Sequence, residues 1–239
     1  MKLRPIAVVS WLVAGHAVIG SLYWLLLQVP ESNALMLAGS ALIALAMVYG
    51  LGLVELMPLC AAGASAPMGR ALGAAARRAW MVIVPLAVFA CFWWVTGLAQ
   101  DWAVAHAGEI DAWFIARLGW TNTGWFHTTI HVILAFVRYV LGVALAVSML
   151  GAVAAHGPKG LVSGGWLGGA LRWRYLLMVA GAMIVGFALP SHAVYWRPAS
   201  LPPTWVQPAF ALVKLVVLFV VANAAWAFIL LKARRPPAG

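Results

Sequence analysis

Long apolar runs alternate with short connections bearing arginine or lysine along nearly the whole of this 239-residue chain. A hydrocarbon layer about 30 Å thick is crossed by a helix of about 20 apolar residues, because only a helix or a closed barrel pairs every backbone group without water. That length recurs through the sequence, and the expected spans are residues 6–29, 34–59, 80–99, 128–154, 175–189 and 209–231. The expected fold is all-α, a polytopic transmembrane helix bundle of about six spans with short interfacial helices. Residues 1–239 are expected to form a single integral-membrane domain. Only 8% of residues are charged and 65% are hydrophobic, whereas ordinary soluble domains carry about 25% charged residues.

The net charge of +10 would suggest a nucleic-acid partner in a soluble chain, but its distribution is that of a membrane topology signal and no nucleic acid is expected. Lys2 and Arg4 precede the first span, Arg70, Arg77 and Arg78 lie between the second and third, and Lys159, Arg172 and Arg174 lie between the fourth and fifth. Lys232, Arg234 and Arg235 follow the last. The opposite side keeps Arg117 and Arg197 with Glu31, Asp101, Glu109 and Asp111. The bias predicts both termini in the cytoplasm and a bacterial inner-membrane setting. The basic start resembles a signal peptide, but the run 6–29 exceeds the usual ~7–15-residue apolar region, so it reads as a retained anchor. Cys60 and Cys91 stand at different depths and are expected to remain separate thiols.

Pro190 is expected to end the fifth span, and Pro85 to kink the third near its start. Two inner connections echo one another: Leu72 to Trp80 and Leu167 to Tyr175 both read Leu-Gly-x-Ala-x-Arg-x-x-aromatic. Head-group arginines followed by a boundary aromatic explain the echo; a duplicated helix pair, as in many transporters, is the alternative. The outer connection 100–127 mixes Trp102, Ile110, Trp113, Phe114 and Leu118 with acidic residues, which predicts an amphipathic surface helix. Tryptophans on that side form an aromatic belt.

Polar side chains at membrane depth are costly and mark candidate sites. His16, Arg138 and Lys214 are the candidates for a cavity or partner contact. At about 1.5 Å per residue, Arg138 and His16 fall near mid-membrane, whereas Glu55 is placed near the inner head groups. Glu55 is therefore expected to pair with Arg70 or Arg77. Lys214 is close enough to the outer edge to snorkel. His127 and His131 share a helix face, and with His106 and His192 they form a candidate metal site; metal or haem is the possible cofactor. No glycine-rich nucleotide loop, Cys-x-x-Cys pair, Gly-x-Ser-x-Gly elbow or His-Glu-x-x-His motif occurs.

The leading functional expectation is a non-enzymatic transporter-like module or an accessory subunit of a larger membrane complex, in contact with lipid and other membrane subunits. A membrane oxidoreductase or metal- or haem-binding protein with an outer histidine site is the alternative. A third is a lipid head-group enzyme in which Lys214 and Arg197 hold phosphate.

Overall fold

The computed structural model describes residues 4–30, 32–63, 68–120, 123–198 and 204–233. Lys2, Glu31, Arg234 and Arg235 of the charge pattern lie outside the described residues. Every regular element among the described residues is helical. Helices α1 (Pro5–Gln28) and α2 (Ala34–Gly63) are the first two long elements. Helix α3 (Met68–Arg78) passes through a 3-10 turn (Ala79–Val82) into α4 (Ile83–Ala105), and α5 (Ala107–Leu118) follows. Helix α6 (Gly124–Ala135) continues through a π-helical segment (Phe136–Leu141) into α7 (Gly142–His156). Two short helices, α8 (Pro158–Val162) and α9 (Gly165–Ala170), lead to α10 (Trp173–Met183). A second π segment (Ile184–Ala188) joins α10 to α11 (Leu189–Tyr195), and α12 (Val206–Ala233) is last.

Six of these helical runs are long and apolar enough to cross a membrane: Pro5–Gln28, Ala34–Ala62, Met68–Ala105, Gly124–His156, Trp173–Tyr195 and Val206–Ala233. The chain is a polytopic membrane protein whose outer surface meets lipid. The fifth run corrects the reading of Pro190, which sits in the first turn of α11 and does not end the helix. An internal proline clashes with the carbonyl one turn before it. Here that turn is the wider π segment, which relieves the contact. Pro85 stands in the first turn of α4, where helical N–H groups have no intrahelical acceptor, and the irregular backbone is the 3-10 turn just ahead of it.

Pro58 lies inside α2 and deprives the Val54 carbonyl of its usual donor. In lipid that carbonyl needs another donor. The indole of Trp11 on α1 supplies it, donating to Val54 O at 3.0 Å. A proline therefore creates the acceptor that pins α1 to α2. Close packing is set by glycine: a Cβ added at Gly52 would lie 2.0 Å from the Ala79 carbonyl oxygen, so α2 and the 3-10 turn meet backbone to backbone. Gly50 packs on Ile19, whereas Gly39 faces open space.

Packing is uneven along the bundle. The buried side chains concentrate at one end, in Val8 and Leu12 of α1, Leu56 to Leu59 of α2, Val147 and Val153 of α7 and Ile229 and Leu230 of α12. At that end Arg78 donates to the carbonyls of Val153 (3.4 Å) and Ala154, satisfying the last turn of α7. Towards the other end the helices expose Trp24, Leu42, Trp94, Val132 and Leu215. The bundle is closed at one end and splayed at the other, and the splay leaves room for a partly open cavity between the spans. The two echoed sequence segments differ in backbone: the first is continuous helix into the 3-10 turn, while the second breaks at an extended Arg172.

Gly52→Ala should lower stability by about 1–3 kcal/mol through overpacking, read as a fall in the thermal midpoint in mild detergent. Gly39→Ala should hold or raise the midpoint, since alanine is the better helix former and meets nothing there.

Candidate functional site: a histidine–glutamate pair on an apolar cavity

All six spans contribute to the wall of one cavity of about 510 Å³. Phe89 and Trp93 come from α4, Tyr139 and Val143 from the fourth run, Gly186 and Phe187 from the fifth, and Trp226 and Ile229 from α12. The wall is almost wholly apolar. Its polar part is one cluster made by His16, Glu55 and Asn223.

The hydrogen-bond pattern of that cluster determines where its protons sit. The Asn223 amide nitrogen donates to the Phe219 carbonyl at 2.9 Å, which turns its oxygen towards His16. That oxygen lies 2.6 Å from His16 Nδ1, so Nδ1 carries a hydrogen. The other ring nitrogen, Nε2, is 2.9 Å from Glu55 Oε1. The indole of Trp226 donates to Glu55 Oε2 at 2.7 Å. One further proton, on either Nε2 or Oε1, completes the network, and the pair is electrically neutral whichever atom holds it. Without that proton two lone pairs would face each other across 2.9 Å. The cluster is a closed hydrogen-bond network bordering an apolar cavity.

These positions correct the assignment of Glu55 to Arg70 or Arg77. Helix α2 runs to Gly63, so Glu55 lies deeper than a span ending at residue 59 implies. It is buried at 4% exposure, while Arg70 and Arg77 are exposed. His16, Glu55 and Asn223 each stand roughly eight to eleven residues from the helix ends at the closed side, about 12–17 Å deep, which explains why they meet. Asn223 and Trp226 escaped sequence reading because an asparagine and an indole in an apolar helix carry no charge signal. Their offset of three residues on one helix face was the available clue.

Arg138 is not joined to His16. Its Nε donates to Thr96 Oγ1 at 2.8 Å, and its guanidinium lies 4.7 Å over the Trp93 ring. Trp93 packs edge-on against Tyr139 at 5.4 Å, and Tyr139 lies 5.1 Å from Phe187. Arg138 therefore stands one layer behind the aromatic wall, held by a hydroxyl and a π face, and no carboxylate pairs with it among the described residues. Both π segments take part, through Tyr139 and Phe187, and such segments recur at functional sites. Lys214 reaches back towards the start of α12, where its ammonium donates to the carbonyls of Val194 (2.6 Å) and Trp196 (2.8 Å) at the end of α11.

The four outer histidines do not form a ligand set. His127 Nε2 contacts Asp111 Oδ1 at 2.7 Å, His106 Nδ1 bonds the Trp102 carbonyl, and His192 Nδ1 bonds the Ala188 carbonyl, while His131 is exposed on α6. Among the described residues no three His, Cys, Asp or Glu side chains gather to hold a metal. Both ring nitrogens of His16 are engaged, so it offers haem no free ligand atom. Cys60 and Cys91 are separate thiols. His127 instead anchors the amphipathic helix α5, whose Phe114 stacks on Trp120 at 5.1 Å and meets Phe126 of α6 at 4.6 Å.

Compared with known protein families, curated proteins and solved structures, the chain matches none of them.

Glu55→Ala should cost about 1–3 kcal/mol, because it leaves His16 Nε2 and the Trp226 indole without their partner, and Glu55→Gln clearly less; thermal unfolding in detergent reads both. Hydrogen bonds from His127 and Thr123 hold the Asp111 carboxyl below its ordinary range. Its tether is thus complete above the ordinary carboxylate range and is lost as pH falls through the lowered folded value. Amide exchange in α5 should speed up on that acid limb, and Asp111→Asn should remove the pH dependence.

Proposed function

We propose that this protein is a transporter-like membrane module that takes an apolar or amphiphilic molecule into the shared cavity and couples its occupancy to the proton held by His16 and Glu55. The observation that supports this reading is the placement of a single neutral, one-proton cluster on the wall of an otherwise apolar cavity that all six spans line. Polar groups at this depth are expensive, and their common use is in substrate and proton pathways. A bundle closed at one end and splayed at the other suits a cavity that opens towards lipid. An accessory subunit would more naturally present Arg138 to a partner chain, whereas Arg138 is engaged by Thr96 and Trp93. In the proposed orientation the closed end, with Arg78 and Lys232, faces the cytoplasm of a bacterial inner membrane, as the distribution of basic residues favours.

The test uses an apolar fluorescent probe, N-phenyl-1-naphthylamine, with the full chain in detergent and in proteoliposomes. Binding should quench emission from the tryptophans by energy transfer, and Ala146→Trp, which fills the cavity from α7, should weaken it at least tenfold. In proteoliposomes a pH gradient should change the bound fraction in the wild type and not in Glu55→Gln. Unaltered binding in Ala146→Trp removes the cavity reading; an unaltered pH response in Glu55→Gln removes the proton coupling.

A further inference from the structure

A second opening lies at the splayed end, between the close of α11 and the first turn of α12. It is a pocket of about 930 Å³ whose lining includes Arg197, Gln207 and Lys214 and no acidic residue among those described. Lys214 is held there by the Val194 and Trp196 carbonyls, which leaves its charge uncancelled by any carboxylate. Arg197 makes no salt bridge among the described residues. The N-terminus of the 28-residue α12 enters the same pocket without an acidic residue in its first turn, adding the positive end of a helix dipole to the two cations. Tyr195, Trp196 and Trp205 stand exposed around it, as aromatic side chains do at head-group level.

The pocket does not end at the surface. From Val194 an apolar groove runs between α11 and α12 past Ser191 and Leu215 as far as Gly186, Phe187 and Ala222, which also line the central cavity; a Cβ added at Gly186 would lie 2.5 Å from the Ala225 Cβ, so the fifth run and α12 pack closely there. Lys214 and Asn223 are separated along α12 by about 14 Å, close to one leaflet of a ~30 Å hydrocarbon layer. Positive charge at head-group depth above an apolar trough one leaflet long has the form of an anionic amphiphile.

We propose that this pocket and groove bind a lipid carrying a phosphate group, with the phosphate held between Arg197 and Lys214 and the hydrocarbon tail lying in the α11–α12 groove. Arginine and lysine give charge-assisted bonds to phosphate oxygens, the arginine in bidentate form, and the groove supplies the apolar contact that a free anion would not use. The site lies beside the central cavity and goes beyond the cavity reading above, and head-group capture needs no transport to occur.

The test measures the thermal midpoint of the full chain in a non-ionic detergent as short-chain phosphatidylglycerol, the matching diacylglycerol without phosphate, or inorganic phosphate is added. Phosphatidylglycerol should raise the midpoint of the wild type. Arg197→Gln should weaken that response about tenfold or more, and so should Ser191→Trp, which blocks the exposed groove while leaving the cations in place. Because Lys214 also closes the end of α11, its substitution is not needed. A response to phosphatidylglycerol lost in both variants supports the proposal. A response to inorganic phosphate alone makes the site one for a free anion and overturns the lipid assignment. No response, an equal response to diacylglycerol, or a response unchanged in Arg197→Gln also overturns it. If Ala146→Trp abolishes probe binding while phosphatidylglycerol has no effect, the cavity reading survives and this one fails; the reverse pattern leaves the lipid site standing without the cavity.

Discussion

The bond between His16 and Glu55 constrains the bundle because a carboxyl, an imidazole and an amide at membrane depth have no water to satisfy them. Each must find a partner on another helix. His16 reaches both Glu55 on α2 and Asn223 on α12, and Trp226 completes the second carboxylate oxygen, so three helices are tied at one level. Pro58 strengthens the same junction by freeing the Val54 carbonyl for Trp11. Apolar side chains alone would give little preference for one neighbour over another in lipid, where tails are as apolar as leucine. The polar contacts and the glycine seam at Gly52 choose the neighbours.

From that junction the asymmetry of the molecule follows. The closed end carries the interlocked side chains of α1, α2, α7 and α12, with Arg78 finishing the last turn of α7. Beyond the cluster the helices separate, and aromatic side chains from the two π segments bridge the gap across the cavity. The π segments let their helices bulge at the cavity wall and also carry the fifth run past Pro190. Arg138 is accommodated behind this wall by a hydroxyl and a ring face, an arrangement that secures the arginine without a buried acid.

The outer pocket continues into the α11–α12 groove through Val194, and the groove shares Gly186, Phe187 and Ala222 with the cavity wall. Arg197 and Lys214 line the pocket, apolar side chains line the groove beside it, and the His16–Glu55 pair lies on the cavity wall. His106, His127 and His131 belong to a different structure, the pair α5 and α6, where His127 contacts Asp111, while His192 lies on α11.

The six spans, the surface helix at 107–118 and the separateness of the thiols were legible in the sequence, because hydrophobic length and the cost of unpaired backbone in lipid act locally on any chain. His16, Arg138 and Lys214 were visible for the same reason: a polar atom in an apolar run has no local explanation. Their partners were not visible. Depth counted from a span edge misplaced Glu55, since α2 continues past residue 59, and a neutral asparagine or indole gives no electrostatic signal. The passage of the helix through Pro190 depended on a π turn whose register no propensity rule supplies. Sequence alone thus determined that the chain must cross a membrane in helices and which side chains lipid would reject. Tertiary structure decided which of those side chains share a wall, because hydrogen bonds at membrane depth are made between helices, and helix neighbours are set by packing that is not local in sequence.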